Sequence, residues 1–161
     1  MNNTGKLTIT TPSDRELVMV REFNAPRHLV FDCWTKPELL KRWLGVRGGW
    51  EMAVCEIDLQ VGGAYRYLWR GPDNVEMGMG GIYREIDAPG RLVSTEVFDQ
   101  SWYPGEAIDT LELVERDGRT TSTTTVLYAS KEARDIAARE GVEGVSDGFD
   151  KLEELLASLA A

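Results

Sequence analysis

Residue types that catalytic triads and metal sites require are scarce in this sequence of 161 residues. It contains one histidine, His28, and two cysteines, Cys33 and Cys55. Two cysteines do not make a disulfide framework. A Ser-His-Asp or Cys-His arrangement would have to use His28, and nothing in the sequence places either cysteine beside it. Zinc ligands cluster at spacings that do not occur here. We therefore expect no catalytic triad, no metal and no cofactor.

Positive charge and long apolar runs are also lacking. Lys and Arg number 18 against 27 Asp and Glu, which gives a net charge of −9. A duplex-binding surface needs clustered positive charge, and a membrane span needs about 20 apolar residues. The first ten residues lack the basic and apolar regions of a secretory signal. We expect a soluble cytoplasmic protein, one domain over residues 1–161, that binds neither nucleic acid nor membrane and has disordered residues 1–6.

The hydrophobic pattern that is present divides the chain into three parts. Residues 16–23 are rich in β-formers and predict a strand. Pro26 then opens a short helix capped by Asn24 or Ala25, and Pro37 opens a second one. After two glycines the period changes from 3.6 to 2, which predicts six strands. The predicted strands are 50–59, 64–70, 75–86, 91–99, 108–115 and 120–129.

The last part of the chain predicts a long amphipathic helix. Its apolar stripe consists of Val145, Phe149, Leu152, Leu155, Leu156 and Leu159. Short connections with turn signals favour an antiparallel sheet, and helices segregated from strands favour the α+β class. A curved sheet with the last helix across its concave side would bury this stripe. The predicted fold is therefore a helix packed in a half-barrel.

Four segments, in order, resemble a known family. They are residues 21–45 (REFNAPRHLVFDCWTKPELLKRWLG), 58–67 (DLQVGGAYRY), 81–93 (GIYREIDAPGRLV) and 144–152 (GVSDGFDKL). Together they resemble the SRPBCC superfamily, also called START-like or Bet v 1-like. The branch is that named after the activator of the 90-kDa heat-shock chaperone's ATPase.

The resemblance implies a helix-grip fold, in which a curved antiparallel sheet grips the long C-terminal helix and leaves a cavity between them. Two positions depart from the family pattern. Val46 stands where the family usually has proline, and Val145 stands where it frequently has tryptophan. Both departures would reshape a cavity entrance. The fold hosts binders, cyclases and hydrolases alike, so it does not settle function.

Aromatic and thioether side chains are the most suggestive feature for function. Alternation places Tyr65, Tyr67 and Trp69 on one face of a strand, and Met77 and Met79 alternate on the next. An apolar pocket needs such a lining with a few hydroxyl or indole donors, although a plain core needs it too. The candidate pocket-lining residues are Tyr65, Tyr67, Trp69, Met77, Met79, Tyr83, Phe98, Trp102, Phe149 and Leu152.

Three functional hypotheses follow. The leading one is a non-enzymatic carrier or sensor of a small apolar molecule of lipid, aromatic or polyketide-like type. The second is a cyclase, dehydratase or hydrolase that uses a carboxyl group enclosed in the cavity, where its pKa would be raised. The third is a chaperone-regulating protein-interaction module, which would need an exposed patch. A homodimer through an exposed edge strand is left open.

The sequence does not decide which carboxylate such an enzyme would use. We expect a β-bulge in the glycine run 78–81, and a bulge resets which side chains face inward. The candidate carboxylates on predicted strands are Glu51, Glu56, Glu76, Glu85, Glu96 and Glu112.

Overall fold

A computed structural model describes residues 6–160, which form an α+β fold with one large antiparallel sheet. The expected disorder of residues 1–6 falls mostly on residues 1–5, which lie outside the described residues. The strands are β1 (Thr8–Thr10), β2 (Glu16–Phe23), β3 (Glu51–Ile57), β4 (Ala64–Arg70), β5 (Glu76–Asp87), β6 (Arg91–Phe98), β7 (Ala107–Arg116) and β8 (Arg119–Leu127). The helices are α1 (Arg27–Thr35), α2 (Pro37–Leu40), α3 (Lys131–Glu140) and α4 (Val142–Ala160).

The eight strands are ordered β1-β2-β8-β7-β6-β5-β4-β3, and every neighbouring pair is antiparallel. The two short helices follow β2, and α4 packs against the sheet through the core. This architecture confirms the predicted α+β helix-grip fold. Within residues 6–160 no helix is both long and apolar enough to cross a bilayer.

The structure corrects three local expectations. β1 was not predicted, and it extends the sheet by pairing with β2. The first helix has Pro26 as its N-cap, not Asn24 or Ala25. The sequence predicts one long helix after the last strand, whereas the structure has two, because α3 ends at Glu140 and α4 begins at Val142.

The glycine run of β5 does not contain the expected bulge. β4 and β5 stay in register from Ala64 opposite Ile82 to Arg70 opposite Glu76, and the irregularity on β5 lies between Tyr83 and Glu85. Close packing explains Gly81 instead, since a Cβ there would lie 1.9 Å from the carbonyl oxygen of Thr95. Side-chain alternation is therefore preserved through the run.

Phe149 of α4 packs the helix against the sheet and against the turn that follows α2. Its ring lies edge-on to Phe23 at 5.8 Å and 6.1 Å from the ring of Trp43. One residue further on, Asp150 pairs at 2.9 Å with the guanidinium of Arg21, which is 2% exposed. The C-terminal half of α4 then fills the core with Leu152, Leu155 and Leu156. The N-terminal half does not fill the sheet in this way.

We expect Leu152→Ala to lower the free energy of unfolding by about 2–5 kcal/mol, because Leu152 is fully buried and its loss leaves a void. Leu59→Ala is the matched control, since Leu59 is 42% exposed, and a surface truncation changes stability by about 0.5 kcal/mol or less. Urea unfolding followed by circular dichroism measures both. Equal midpoints for the two variants would contradict this account of the core.

Candidate ligand-binding cavity

A cavity of about 630 Å³ lies between the concave face of the sheet and the N-terminal half of α4. Ligand pockets in proteins span about 300–1,000 Å³ and are mostly apolar. From α4 the wall includes Val145, Gly148 and Phe149, and the remaining wall comes mainly from inward-facing residues of six strands. The cavity therefore has the size and the lining of a small-molecule site.

Every predicted pocket residue except Leu152 lines this cavity. The lining set is Tyr65, Tyr67, Trp69, Met77, Met79, Tyr83, Phe98, Trp102 and Phe149. Leu152 lies one turn beyond Phe149 and is fully buried in the core, which corrects its place in the set. Whether the other residues bind a ligand stays a prediction.

Tyrosine and tryptophan rings of β4 and β5 build one wall. The ring centroid of Tyr65 lies 4.8 Å from that of Tyr67 and 5.5 Å from that of Tyr83. The Tyr65 hydroxyl donates to the Thr95 carbonyl at 2.6 Å, and Trp69 Nε1 donates to the Leu44 carbonyl at 2.9 Å. These two donors are thus engaged by the backbone, which leaves the rings held rigidly with their faces available.

Two carboxyl groups lie in the cavity wall beside this aromatic surface. Glu96 is on β6 and Asp109 is on β7, and both line the cavity. The register pairs Ser94 with Asp109, which makes Glu96 the next inward residue on β6. The Tyr103 hydroxyl donates a hydrogen bond to Glu96. Asp109 interacts with Glu96 both by hydrogen bonding and by charge repulsion.

The environment of Asp109 favours its protonated form. Burial raises the pKa of the Asp109 carboxyl well above its usual range, and the neighbouring Glu96 raises it further. Two carboxyl groups in contact share a proton more readily than they carry two charges. Asp109 therefore keeps its proton at pH values where an exposed aspartate has lost it.

Two polar atoms of the wall are buried without a hydrogen-bond partner in the described part of the chain. They are Asp109 Oδ1 and Thr124 Oγ1. The strand pairing sets Tyr83 opposite Ser94 and Ser94 opposite Asp109, so these residues form a row across the sheet. We call Tyr83, Ser94, Glu96, Asp109 and Thr124 the polar patch. A buried polar atom without a partner is costly, and a ligand group would satisfy it.

Loop residues and the start of α4 form the rim of the cavity. Arg47, from the loop after α2, pairs with Asp147 of α4 at 2.9 Å. Trp102, from the loop after β6, packs close to Gly141, where a Cβ would lie 3.2 Å from its ring. Val145 lines the cavity, as its departure from the family pattern suggested, whereas Val46 does not.

The positions of the cysteines, the histidine and the carboxylates in the structure decide whether they could act as metal ligands or nucleophiles. Among the described residues, no group of three or more His, Cys, Asp or Glu side chains could hold a metal ion. Burial raises the pKa of the Cys33 thiol to about 12 and that of Cys55 to about 11, which disfavours the reactive thiolate. His28 is exposed on α1 and does not line the cavity.

Comparison with protein families gives one match that covers most of the chain. The family model described as Activator of Hsp90 ATPase homolog 1-like protein matches residues 24–157. The chain belongs to this family. The predicted resemblance to the SRPBCC superfamily is therefore confirmed. The family supports a ligand-binding domain in general, and it does not specify a ligand.

Solved structures that are similar to this chain share its fold over nearly their whole length. A crystal structure from Rhodobacter sphaeroides is 31% identical, with a TM-score of 0.90 over 95% of this chain and 99% of that one. One from Nitrosomonas europaea is 26% identical, with a TM-score of 0.81 over 92% and 98%. The AHSA1-like protein of Aeromonas hydrophila, at 18% identity and a TM-score of 0.69 over 89% and 94%, shows the shared fold alone. No curated protein matches the chain.

Glu96 is one of the six candidate carboxylates predicted from the sequence, and Asp109 is not among them. The alternation of inward and outward side chains along each strand is the signal that identifies Glu96 and Asp109 as inward-facing. Glu96 is two residues from Phe98, and Asp109 is two residues from Leu111, so each shares the inward face of its strand with an apolar residue. Because Glu96 lies on β6 and Asp109 on β7, a bulge in the glycine run of β5 would not affect this assignment.

We expect Asp109→Asn to become increasingly stabilising, relative to the natural protein, as pH rises from 5 to 8. The folded state binds the Asp109 proton more tightly than the unfolded state, so deprotonation at higher pH costs folding free energy. The slope reaches at most about 1.4 kcal/mol per pH unit. Urea unfolding at several pH values measures this difference.

Asp99→Asn is the matched control, and its effect should stay constant between pH 5 and pH 8. A hydrogen bond from the Arg66 guanidinium lowers the pKa of the exposed Asp99 carboxyl. This contribution to stability is fully present above the unfolded pKa of about 3.9 and is lost only below it, so the substitution is unfavourable by the same amount throughout the range. A pH-independent difference between D109N and the natural protein would contradict the enclosed, protonated Asp109.

Proposed function

We propose that this protein binds a small, largely apolar molecule between the sheet and α4, as a carrier or sensor. The observation that carries the proposal is the cavity of about 630 Å³, with an aromatic wall and the polar patch beside it. Apolar burial supplies about 25 cal/mol per Å² before ordering costs. The Tyr83 hydroxyl and the carboxyl pair orient the bound molecule.

We expect Val145→Trp to abolish binding of prodan, an uncharged naphthalene dye, because the indole would occupy the cavity beside α4. The natural protein should bind prodan with a blue-shifted, enhanced emission. Val114→Trp is the matched control, since Val114 lies on β7 and is 62% exposed. Fluorescence titration measures all three proteins. Equal prodan affinity in V145W and the natural protein, with both folded by circular dichroism, would contradict binding in this cavity.

A second candidate, acid–base catalysis on such a molecule, is favoured by the carboxyl pair. Asp109 is an enclosed acid, and Glu96 is a neighbouring base that Tyr103 orients through a hydrogen bond. An acid and a base side by side in an apolar site suit the loss or addition of water in a cyclase, dehydratase or hydrolase. The choice between carrier and enzyme depends on turnover.

We expect catalysis, if this is the function, to appear with 4-hydroxy-4-phenylbutan-2-one, an aromatic β-hydroxyketone whose dehydration forms an ultraviolet-absorbing enone. Dehydration by the natural protein, lost in E96Q and retained in the surface variant E112Q, would support the enzyme. Binding of this probe without enone formation would support the carrier. The chaperone-regulating role in the family's name stays a prediction.

A further inference from the structure

The charges in the cavity wall are unbalanced toward the negative. Glu96, Asp109 and Glu140 line the cavity, and Arg47 is the one cationic side chain among the described lining residues. Arg47 is 42% exposed and already pairs with Asp147. A carboxyl pair that shares one proton still carries one negative charge, and a buried charge is costly unless a counter-charge meets it. The wall offers none beside the polar patch.

Oxygens of the polar patch can accept hydrogen bonds from a ligand. The Tyr103 hydroxyl donates to Glu96, and the Tyr65 hydroxyl donates to the Thr95 carbonyl. Asp109 Oδ1 and Thr124 Oγ1 have no partner in the described part of the chain. Thr124 is 8% exposed, so bulk water does not satisfy its oxygen.

The aromatic wall beside the patch suits a cation for a further reason. Tyr65, Tyr67 and Tyr83 form a contiguous ring surface with centroid separations of 4.8 and 5.5 Å. The faces of phenol rings carry negative potential and attract a cation within about 6 Å. An ammonium group has three N–H donors and no acceptor, and lone pairs of Glu96, Asp109 Oδ1 and Thr124 Oγ1 can accept hydrogen bonds from it.

We propose that the natural ligand is an apolar molecule with a protonated amine, and that its ammonium group binds at the polar patch against Glu96 and Asp109. This inference rests on the proposed binding function and adds the chemical class of the ligand. The apolar body lies along the methionines of β5 and Phe149. The ammonium supplies the counter-charge that the described wall lacks.

A matched set of three probes tests the inference: 2-naphthylmethylamine, 2-naphthylmethanol and 2-naphthylacetate. They share the naphthyl group and differ in charge at neutral pH. Because charge-assisted hydrogen bonds are about twice as strong as neutral ones, we expect the amine to bind at least tenfold more tightly than the alcohol. The carboxylate should bind more weakly than either. Isothermal titration calorimetry measures all three.

Variants distinguish the contribution of the polar patch to amine binding from that of the rest of the cavity. In Glu96→Gln we expect the amine to bind no more tightly than the alcohol, while affinity for the alcohol is unchanged. Glu112→Gln, on the outer face of β7, should keep the natural preference, and circular dichroism verifies folding of both. Asp109→Asn removes the protonated partner and leaves the negative charge on Glu96, so this variant should keep the preference for the amine.

The outcomes distinguish this inference from the proposed function. Alcohol or carboxylate binding as tightly as the amine would overturn the ligand class and leave cavity binding intact. Amine preference that survives in E96Q would also overturn it. If no naphthyl probe binds and prodan also fails to bind, the proposed function falls together with the inference.

Discussion

The contact of Phe149 with Phe23 and Trp43 marks the boundary between the packed core and the cavity. It holds α4 at its middle, and the ion pair between Arg21 and Asp150 reinforces the same level. Beyond this point the leucines of α4 fill the concave sheet. Before it, glycines and Val145 leave the sheet uncovered. The cavity is therefore a consequence of which half of α4 carries large side chains.

The position of the cavity explains why its polar residues have unusual properties. The strands β6 and β7 lie across the cavity from the glycine-rich start of α4. Glu96 and Asp109 therefore face the cavity instead of a packed helix. Burial then raises the pKa of Asp109. A core side chain at this level would have excluded both carboxyl groups, because an enclosed pair without a counter-charge is unfavourable.

The sequence predicts most of this fold because its signals are local. The alternation of Tyr65, Tyr67 and Trp69 predicts β4 and its inward face, and the resemblance over residues 21–45 predicts the helix-grip arrangement. Leu152 shows the limit of periodicity, since helical spacing places it on the same stripe as Phe149 but does not reveal where packing is complete. The position of β1 and the proximity of the Glu96 and Asp109 side chains depend on which strands are neighbours. A single sequence does not reveal those neighbours.

The most direct test of the central claim is the ¹³C-methyl spectrum of methionines during titration with prodan. Met19, Met77 and Met79 line the cavity, whereas Met52 is buried in the core outside it and serves as an internal control. The account predicts shifts of the three cavity methyl signals, with Met52 unchanged. Unchanged signals from all three at saturating dye, or a shift of Met52 alone, would contradict a ligand-binding cavity beneath α4.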